Sequence, residues 1–563
     1  MNAIKKYKRS LVSDHNALWR AILDRYSDGD YTLDNPLIVN NPFKNSPLTA
    51  VILFSSGCAF ATSAVIRIEG QSGDKDLTHE FNDGSQHNYH FIPVAGLYPG
   101  IDNNVELTLT YSDGSVVVKS FTIRTPELPK DIKLLPNIHP GKSEPIAMAE
   151  GFTFLSPINS YIMAVDHNAT IRWYLSGDDY FLPGNFPRDL AFTNFIRLKN
   201  GNFLVNFWKK CLYEITILGR CVKFTDLTKM RYGLHHDMYE MESGDLLVCI
   251  EDHFSNIMED HIGIFDYQHS NTLKKYADFK EVLPTKRVYQ PNIDSVLGGK
   301  KDWLHINRAV YHQEKDFFVI SARHQNAIIA SKEISKHKYG KMDMELQWIL
   351  GSHYGWEPEL KKYLLRPIDS FGNEITDNDF LDKEFWPWGQ HSINFIDTNN
   401  SETSKDPDEV DIILFNNGNY RSFDKRKQIR SDNNYSEGVH YRINTKHMTV
   451  KIIWRFGKEL GSQRYCSFVC NIQELKDSYL INYGGIHLNE YGENIGLLLG
   501  DPPMQRGEKV YPKTYICEVN KSSKEIVFDF ELDIGESEAL GYYNFKSLRL
   551  PMYPNKSTIR AAL

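Results

Sequence analysis

After its first thirty residues the chain alternates apolar and polar positions at the two-residue spacing of strands, not the helical spacing of three and four. Only the opening segment, 1–30, departs from this. There Leu11, Leu18, Ile22 and Tyr26 fall roughly on one side, which predicts a short amphipathic helix. From 31 to 130 come "LTAVILFSS", "SAVIRIEG", "HNYHFIPVAGLYPG", "VELTLTYSDGS" and "VVVKSFTIRT". These short runs are punctuated by turns, and "SDGS" between two of them reads as a hairpin, so a β-sandwich is expected. The stretch 131–150 continues a proline-rich passage, "TPELPKDIKLLPNIHPGKSEP", and reads as a linker. From 151 to 563 a loose repeat follows. One piece recurs in "GDLLVCIED", "KDFFVISAR", "DIILFNNGN" and "DSYLINYGG", and a later one in "AVDHNATIRWYL", "DMELQWILG" and "YRINTKHMTVKIIWRFG". Copies about forty or more residues apart, with four strands each, predict propeller blades. The expectation is an all-β chain: a six-bladed β-propeller behind an N-terminal β-sandwich domain and a short N-terminal helix.

Composition narrows the function. The 563 residues are 41% hydrophobic and 13% aromatic, enough for a large core. A net charge of −8 without a basic block argues against nucleic acid or an anionic membrane as partner. No stretch has the apolar length of a membrane span. The N-terminus has basic residues but no apolar core of a signal peptide. The seven cysteines are an odd number, several in apolar strand-like runs, and read as reduced core residues. Cys466 and Cys470 could pair, yet one Cys-x3-Cys is weak evidence for zinc. A cytoplasmic enzyme is expected, with a mature exported or periplasmic protein as the rival; a homodimer is compatible with either.

The chemistry centres on "EFWPWGQHSINF", where His391 opens a strand behind a glycine and two tryptophans. Taken alone, such a histidine is a satisfied strand-end residue. Other positions stand in the same relation to their own β runs: His236, with His235 beside it, in "GLHHDMYEM"; His305 and Asn307 in "DWLHINRAVY"; Arg323 in "VISARHQNA". Each has a plain reading, a surface turn, a metal-ligand pair or an exposed ion pair. In a propeller, however, the innermost strands converge on a central channel. Several histidines with an arginine, an asparagine and no carboxylate ring suit a tetrahedral oxyanion better than a metal. Other chemistries lack their motifs. "HPGKSEP" has no phosphate-loop glycine five residues before Gly141, and there is no Gly-x-Gly-x-x-Gly, no His-Glu-x-x-His and no Cys-x-Pro-x-Arg. No cofactor and no metal is expected.

The motifs "HHDM", "WLHINRAVY", "VISARHQNAI", "LQWILGSHYGW", "WPWGQHSINF" and "LFNNGNYRS", in this order, resemble the bacterial aryl-sulfate sulfotransferases that use no nucleotide donor. "NPFKNSPLTAVILF" and "HFIPVAGLYPGIDNNVELTL" resemble that family's accessory β domain, so the likeness covers nearly the whole chain. It implies ping-pong transfer of a sulfuryl group from a phenolic sulfate to another phenol. His391 falls on the nucleophile that carries the sulfo-histidine intermediate. His236, His305, Asn307 and Arg323 fall on sulfate-binding positions, with His235 the alternative to His236. His305 is the expected proton donor to the leaving phenol. Trp386, Trp388, Tyr354 and Trp356 are expected to divide between an apolar mouth and the core, at least half of them in the core. Glu437 and His440 depart from the family pattern, on a loop expected to alter acceptor choice. The rivals are a metal-dependent propeller hydrolase using His235, His236, Asp237 and His305, and a propeller that only binds proteins.

Overall fold

The computed structural model describes residues 10–554 apart from 58–60, 72, 82–88, 130–136, 146, 158–160, 177–193, 208–210, 259, 284–301, 336, 397–402, 497–508, 534–535 and 537–543. The chain forms two compact units, residues 1–226 with 548–563, and residues 227–547.

In the first unit the opening helix spans Leu11–Ser27 and buries Leu11, His15 and Ile22. His15 was not on the expected apolar face; its Nδ1 accepts the Cys221 backbone N–H at 2.8 Å. Two antiparallel sheets follow. One joins Leu37–Asn40, Thr49–Ser55 and Tyr89–Ala95, and the other joins Leu77–Phe81, Ala61–Ile68, Asp102–Tyr111 and Val116–Arg124. Alternation is plainest in Asp102–Tyr111, where Val105, Leu107 and Leu109 point inward and their neighbours outward. Residues Asn137–Ser143 of the expected linker are extended as a strand. Beyond them lie a meander of Phe152–Pro157, Tyr161–Val165 and Ile171–Ser176, and a four-stranded meander running from Asn194–Arg197 through Cys221–Asp226.

The second unit holds four antiparallel meanders among its described residues. Their first strands are Tyr232–Glu240, Ile306–His312, His391–Phe395 and Asn471–Glu474. Each of the first three lies beside the first strand of the next sheet, so one set of strand ends gathers along a common inner line, as in propeller-like folds. Between the sheets the strands bury continuous apolar faces. Trp348, Leu350, Trp388, Ile393, Leu414 and Tyr441 fill one such layer, and Phe415, Trp454, Ile472, Ile481 and Cys517 another.

The inner strands share a defect. The first slips register between His235 and Met238, the second between Ile306 and Arg308, the third between His391 and Asn394. A residue with positive φ marks each: His236 at +49°, His305 at +52° and Ser392 at +56°. Val469 (+52°) and Cys470 (+79°) precede the fourth. The three register slips are β-bulges, which bend a strand and re-aim its side chains. Non-glycine residues enter this region at a cost of about 1–3 kcal/mol each. These five residues, on or just before four neighbouring strands, identify the inner line as the place where the fold accepts strain.

Candidate functional site

His391 begins its strand, and the residues before it explain its aim. Gly389 has φ +64°, and a Cβ there would overlap the Asn419 side chain. Its N–H donates to Asn326 Oδ1 at 2.8 Å. The Gln390 backbone oxygen accepts Asn307 Nδ2 at 2.8 Å and Ser321 Oγ at 3.2 Å, which ties the third inner strand to the second sheet. The His391 ring is buried, and its Nδ1 lies 2.8 Å from Asn417 Oδ1 and 3.1 Å from Gly389 O. Asn417 Nδ2 donates to Cys466 O at 2.9 Å and to Val469 O, so its amide orientation is fixed and Oδ1 faces the imidazole. Two acceptors on one nitrogen require Nδ1–H. The lone pair then resides on Nε2. Burial, then the Arg323 charge, hold the His391 pKa well below 6.5, against the Asn417 hydrogen bond that raises it. The ring is therefore neutral at neutral pH, as a nucleophile must be.

Arg323 follows the strand Phe317–Ala322 on a short 3-10 turn. Its Nη1 donates to His324 Nε2 at 2.7 Å and its Nη2 to Ser467 O at 3.2 Å. His305 precedes the neighbouring inner strand, and its Nδ1 lies 2.5 Å from Asp302 Oδ2. The His305 ring packs between His236 and His324, with centroids 4.7 and 4.5 Å away. Of the adjacent histidines, His235 is 2% exposed and paired in register with Cys249, whereas the partly exposed His236 meets His305. The bulge between them makes this choice, which alternation cannot reveal.

The structure thus gathers His236, His305, Asn307, Arg323 and His391 on neighbouring strand ends, with His235 behind them. Sequence reasoning missed Asp302, His324 and Asn417. Asp302 stands three residues before His305 and His324 directly after Arg323, so proximity in sequence was the only signal for either. Asn417 lies in the quoted "LFNNGNYRS", between two other asparagines.

One expectation is corrected. Glu437 and His440 sit inside the strand Glu437–Asn444, not on a loop. Glu437 binds Arg455 at 2.7 Å and Arg421 at 3.4 Å, while His440 bonds Asp411 at 3.1 Å, so both are structural. Trp356, Trp386 and Trp388 are buried in the core, and the exposed Tyr354 stacks on Phe423.

Asp237 cannot serve a metal as the hydrolase reading requires. Its carboxylate lies 2.5 Å from Arg308 and 2.7 Å from Lys546, both buried. Burial lowers the Lys546 pKa to about 8. Asp302, His305 and His324 are close enough together for a cation, but Arg323 already donates to His324. Near Asp260, His261 and Asp278, Lys280 stands 3.5 Å from Asp278 and 3.8 Å from Asp260. Protein cations already serve these donors, and around His391 the arrangement favours an anion.

The arylsulfotransferase (ASST) family model matches residues 137–544, and that of the arylsulfotransferase Ig-like domain matches residues 37–126. The arylsulfate sulfotransferase AssT of Escherichia coli O6:H1 (strain CFT073) is 22% identical over 544 residues, covering 81% of this chain and 86% of the relative. That of Lelliottia amnigena is 22% identical over 547 residues with the same coverage. Among solved structures, the β-propeller domain of Vanderwaltozyma polyspora Nup133 shares 9% identity at a TM-score of 0.27, covering 70% of this chain and 84% of its own; at that score nothing is argued from it. With the all-β architecture and a match over most of its length, the chain belongs to the arylsulfotransferase family.

Proposed function

We propose that this sulfotransferase moves a sulfuryl group from a phenolic sulfate to a second phenol by a ping-pong route through a sulfo-histidine at His391. The observation that carries the reading is the His391 imidazole: buried, neutral, locked with Nδ1–H, and close enough to Arg323 for that charge to act on it. Sulfuryl transfer, like phosphoryl transfer, spreads charge over equatorial oxygens in a loose transition state, so the protein chiefly positions and stabilises. Arg323 and His236 hold the oxygens, with Asn307 bracing Gln390 behind them. Nε2 of His391 attacks sulfur while the S–O bond to the phenol breaks, and His305 protonates the departing oxygen. The second phenol gives its proton to His305, attacks sulfur and frees His391. No step uses a nucleotide donor. We also propose a reducing, cytoplasmic compartment, supported by the six described cysteines, all free and buried.

The test is to mix the protein with 4-nitrophenyl sulfate alone. One equivalent of nitrophenol should appear in a burst, and mass spectrometry of a digest kept mildly alkaline should find the sulfuryl group on His391. A second phenol should accelerate turnover and yield its own sulfate. His391→Ala should lose burst, adduct and transfer. A label on another residue, or equal rates with and without acceptor, would defeat the reading.

A further inference from the structure

The proton assigned to His305 must leave from Nε2, so something has to hold Nδ1. We propose that Asp302 is the positioning residue that does so, and that the same residue aims Arg323 through His324; this rests on the sulfuryl-transfer reading above. Asp302 is 1% exposed, and its Oδ2 lies 2.5 Å from His305 Nδ1. Its backbone oxygen accepts His324 Nδ1–H at 2.7 Å. With that proton on Nδ1, His324 presents a lone pair at Nε2, where it accepts Arg323 Nη1–H at 2.7 Å. The peptide segment is itself pinned: Gln325 Nε2 donates to Trp303 O at 2.7 Å, His324 N to Leu304 O at 3.2 Å and Arg323 N to His305 O at 3.2 Å. One buried aspartate thus connects the acid–base imidazole with the guanidinium.

The electrostatics give this connection a purpose. His305 lies between the His236 and His324 rings. Arg323 is bonded to His324, and His305 itself lowers the pKa of His391. Neither another imidazole nor a guanidinium favours a positive charge on His305. The Asp302 carboxylate does, so it holds the imidazolium that donates to the leaving phenol. In the first half-reaction S–Nε2(His391) forms, S–O breaks, and the His305 Nε2 proton passes to the phenolate. In the second half-reaction neutral His305 takes the acceptor's proton, the acceptor oxygen forms an S–O bond, and S–Nε2 breaks.

Leaving-group dependence tests this. Asp302→Asn keeps the shape and removes the charge. The single-turnover phenol burst should slow on the order of a hundred-fold or more with phenyl sulfate, whose leaving group needs a proton. With 4-nitrophenyl sulfate, whose leaving group hardly needs one, it should slow less than about ten-fold. In a His305→Ala background the same substitution should add little to the phenyl sulfate defect, because Asp302 acts through His305. Equal slowing of both donors, or independent effects of the two substitutions, would overturn the proposal. Wild-type protein with 15N-labelled histidine provides a readout that needs no folded Asp302 variant. The signals lost in His305→Ala should report a protonated Nδ1, and an Nε2–H tautomer with bare Nδ1 would equally overturn it. A normal adduct on His391 with equal slowing sinks this inference alone; no adduct sinks the reading beneath it.

Discussion

His391 owes its tautomer to two acceptors on one nitrogen, and its neutrality to burial and a neighbouring guanidinium. The sign of its pH dependence follows. Because the folded pKa is depressed, the neutral ring persists as pH falls through 6.5 and is lost only further down, while the unfolded chain begins to bind that proton near 6.5. The nitrophenol burst should therefore stay flat from neutral pH through 6.5, and an acid limb at or above 6.5 would contradict the assignment. The ring's contribution to stability runs the same way: present above 6.5 and lost below it. Asn417 is the second determinant. Asn417→Leu removes one acceptor from Nδ1 and takes the Asn417 amide from the Val469 carbonyl and from the Cys466 carbonyl, which keeps Ser436 Oγ at 3.2 Å; a lost donor costs about 1–3 kcal/mol for a buried group. Denaturant unfolding should show that loss, together with a slower burst. For Arg323 the geometry is a fork, one arm on His324 and one on Ser467 O, and a lysine ammonium cannot reproduce both. Arg323→Lys should lower turnover by about a hundred- to thousand-fold, the loss typical of one transition-state donor. Near-normal turnover in the folded variant would return Arg323 to a structural role.

At the level of elements, the site is made by bulges. A regular strand would turn alternate side chains to opposite faces, so His235 and His236 could not be chosen between by pattern; the register slip decides. The same limit governs what was legible in the sequence. Alternating and continuous apolar runs were readable because strands bury one face, as Asp102–Tyr111 does, or both, as Leu246–Asp252 does. His391, His305, Arg323 and Asn307 were readable as strand ends. The partners that set their protonation were not, because Asp302, His324 and Asn417 act through ring nitrogens and peptide oxygens whose placement depends on tertiary contact. The glycine of Gly-Gln-His offers a separable test. Gly389 (φ +64°) would bring a Cβ against Asn419, whose Nδ2 holds Ser467 O at 2.9 Å, whereas Gly372 (φ +89°) has open space around it. Gly372→Ala should show only the left-handed backbone cost, about 1–2 kcal/mol. Gly389→Ala should lose more stability and also slow the burst, because the Ser467 carbonyl that steadies Arg323 moves with Asn419. Equal stability losses with full activity would show that Asn419 yields freely.

Across the whole molecule, a net charge of −8 coexists with a site that brings Arg323 together with several imidazoles, so the local field rather than the total decides the ligand. Cysteine chemistry also belongs to this scale. Cys211, Cys221, Cys249, Cys466, Cys470 and Cys517 are free and buried, and Cys58 lies outside the described residues. Burial, then the neighbouring Cys470, push the Cys466 thiol well above 9, so it holds little of the thiolate that reacts. The segment between these two cysteines supplies the carbonyls of Cys466, Ser467 and Val469 to Asn417, Arg323 and Asn419. Its redox state therefore bears directly on His391. A cytoplasmic enzyme should arrive with every thiol reduced. Alkylation of the native protein should be slow at the six buried positions. After denaturation without reductant, seven alkyl groups should be found per chain, one for each cysteine in the sequence. Five groups with an intact Cys466–Cys470 bridge, in protein isolated from its own cells under alkylating quench, would instead assign it to an oxidising compartment. Reducing that bridge should then change the burst, since the carbonyls that hold Asn417 and Arg323 lie on the closed loop.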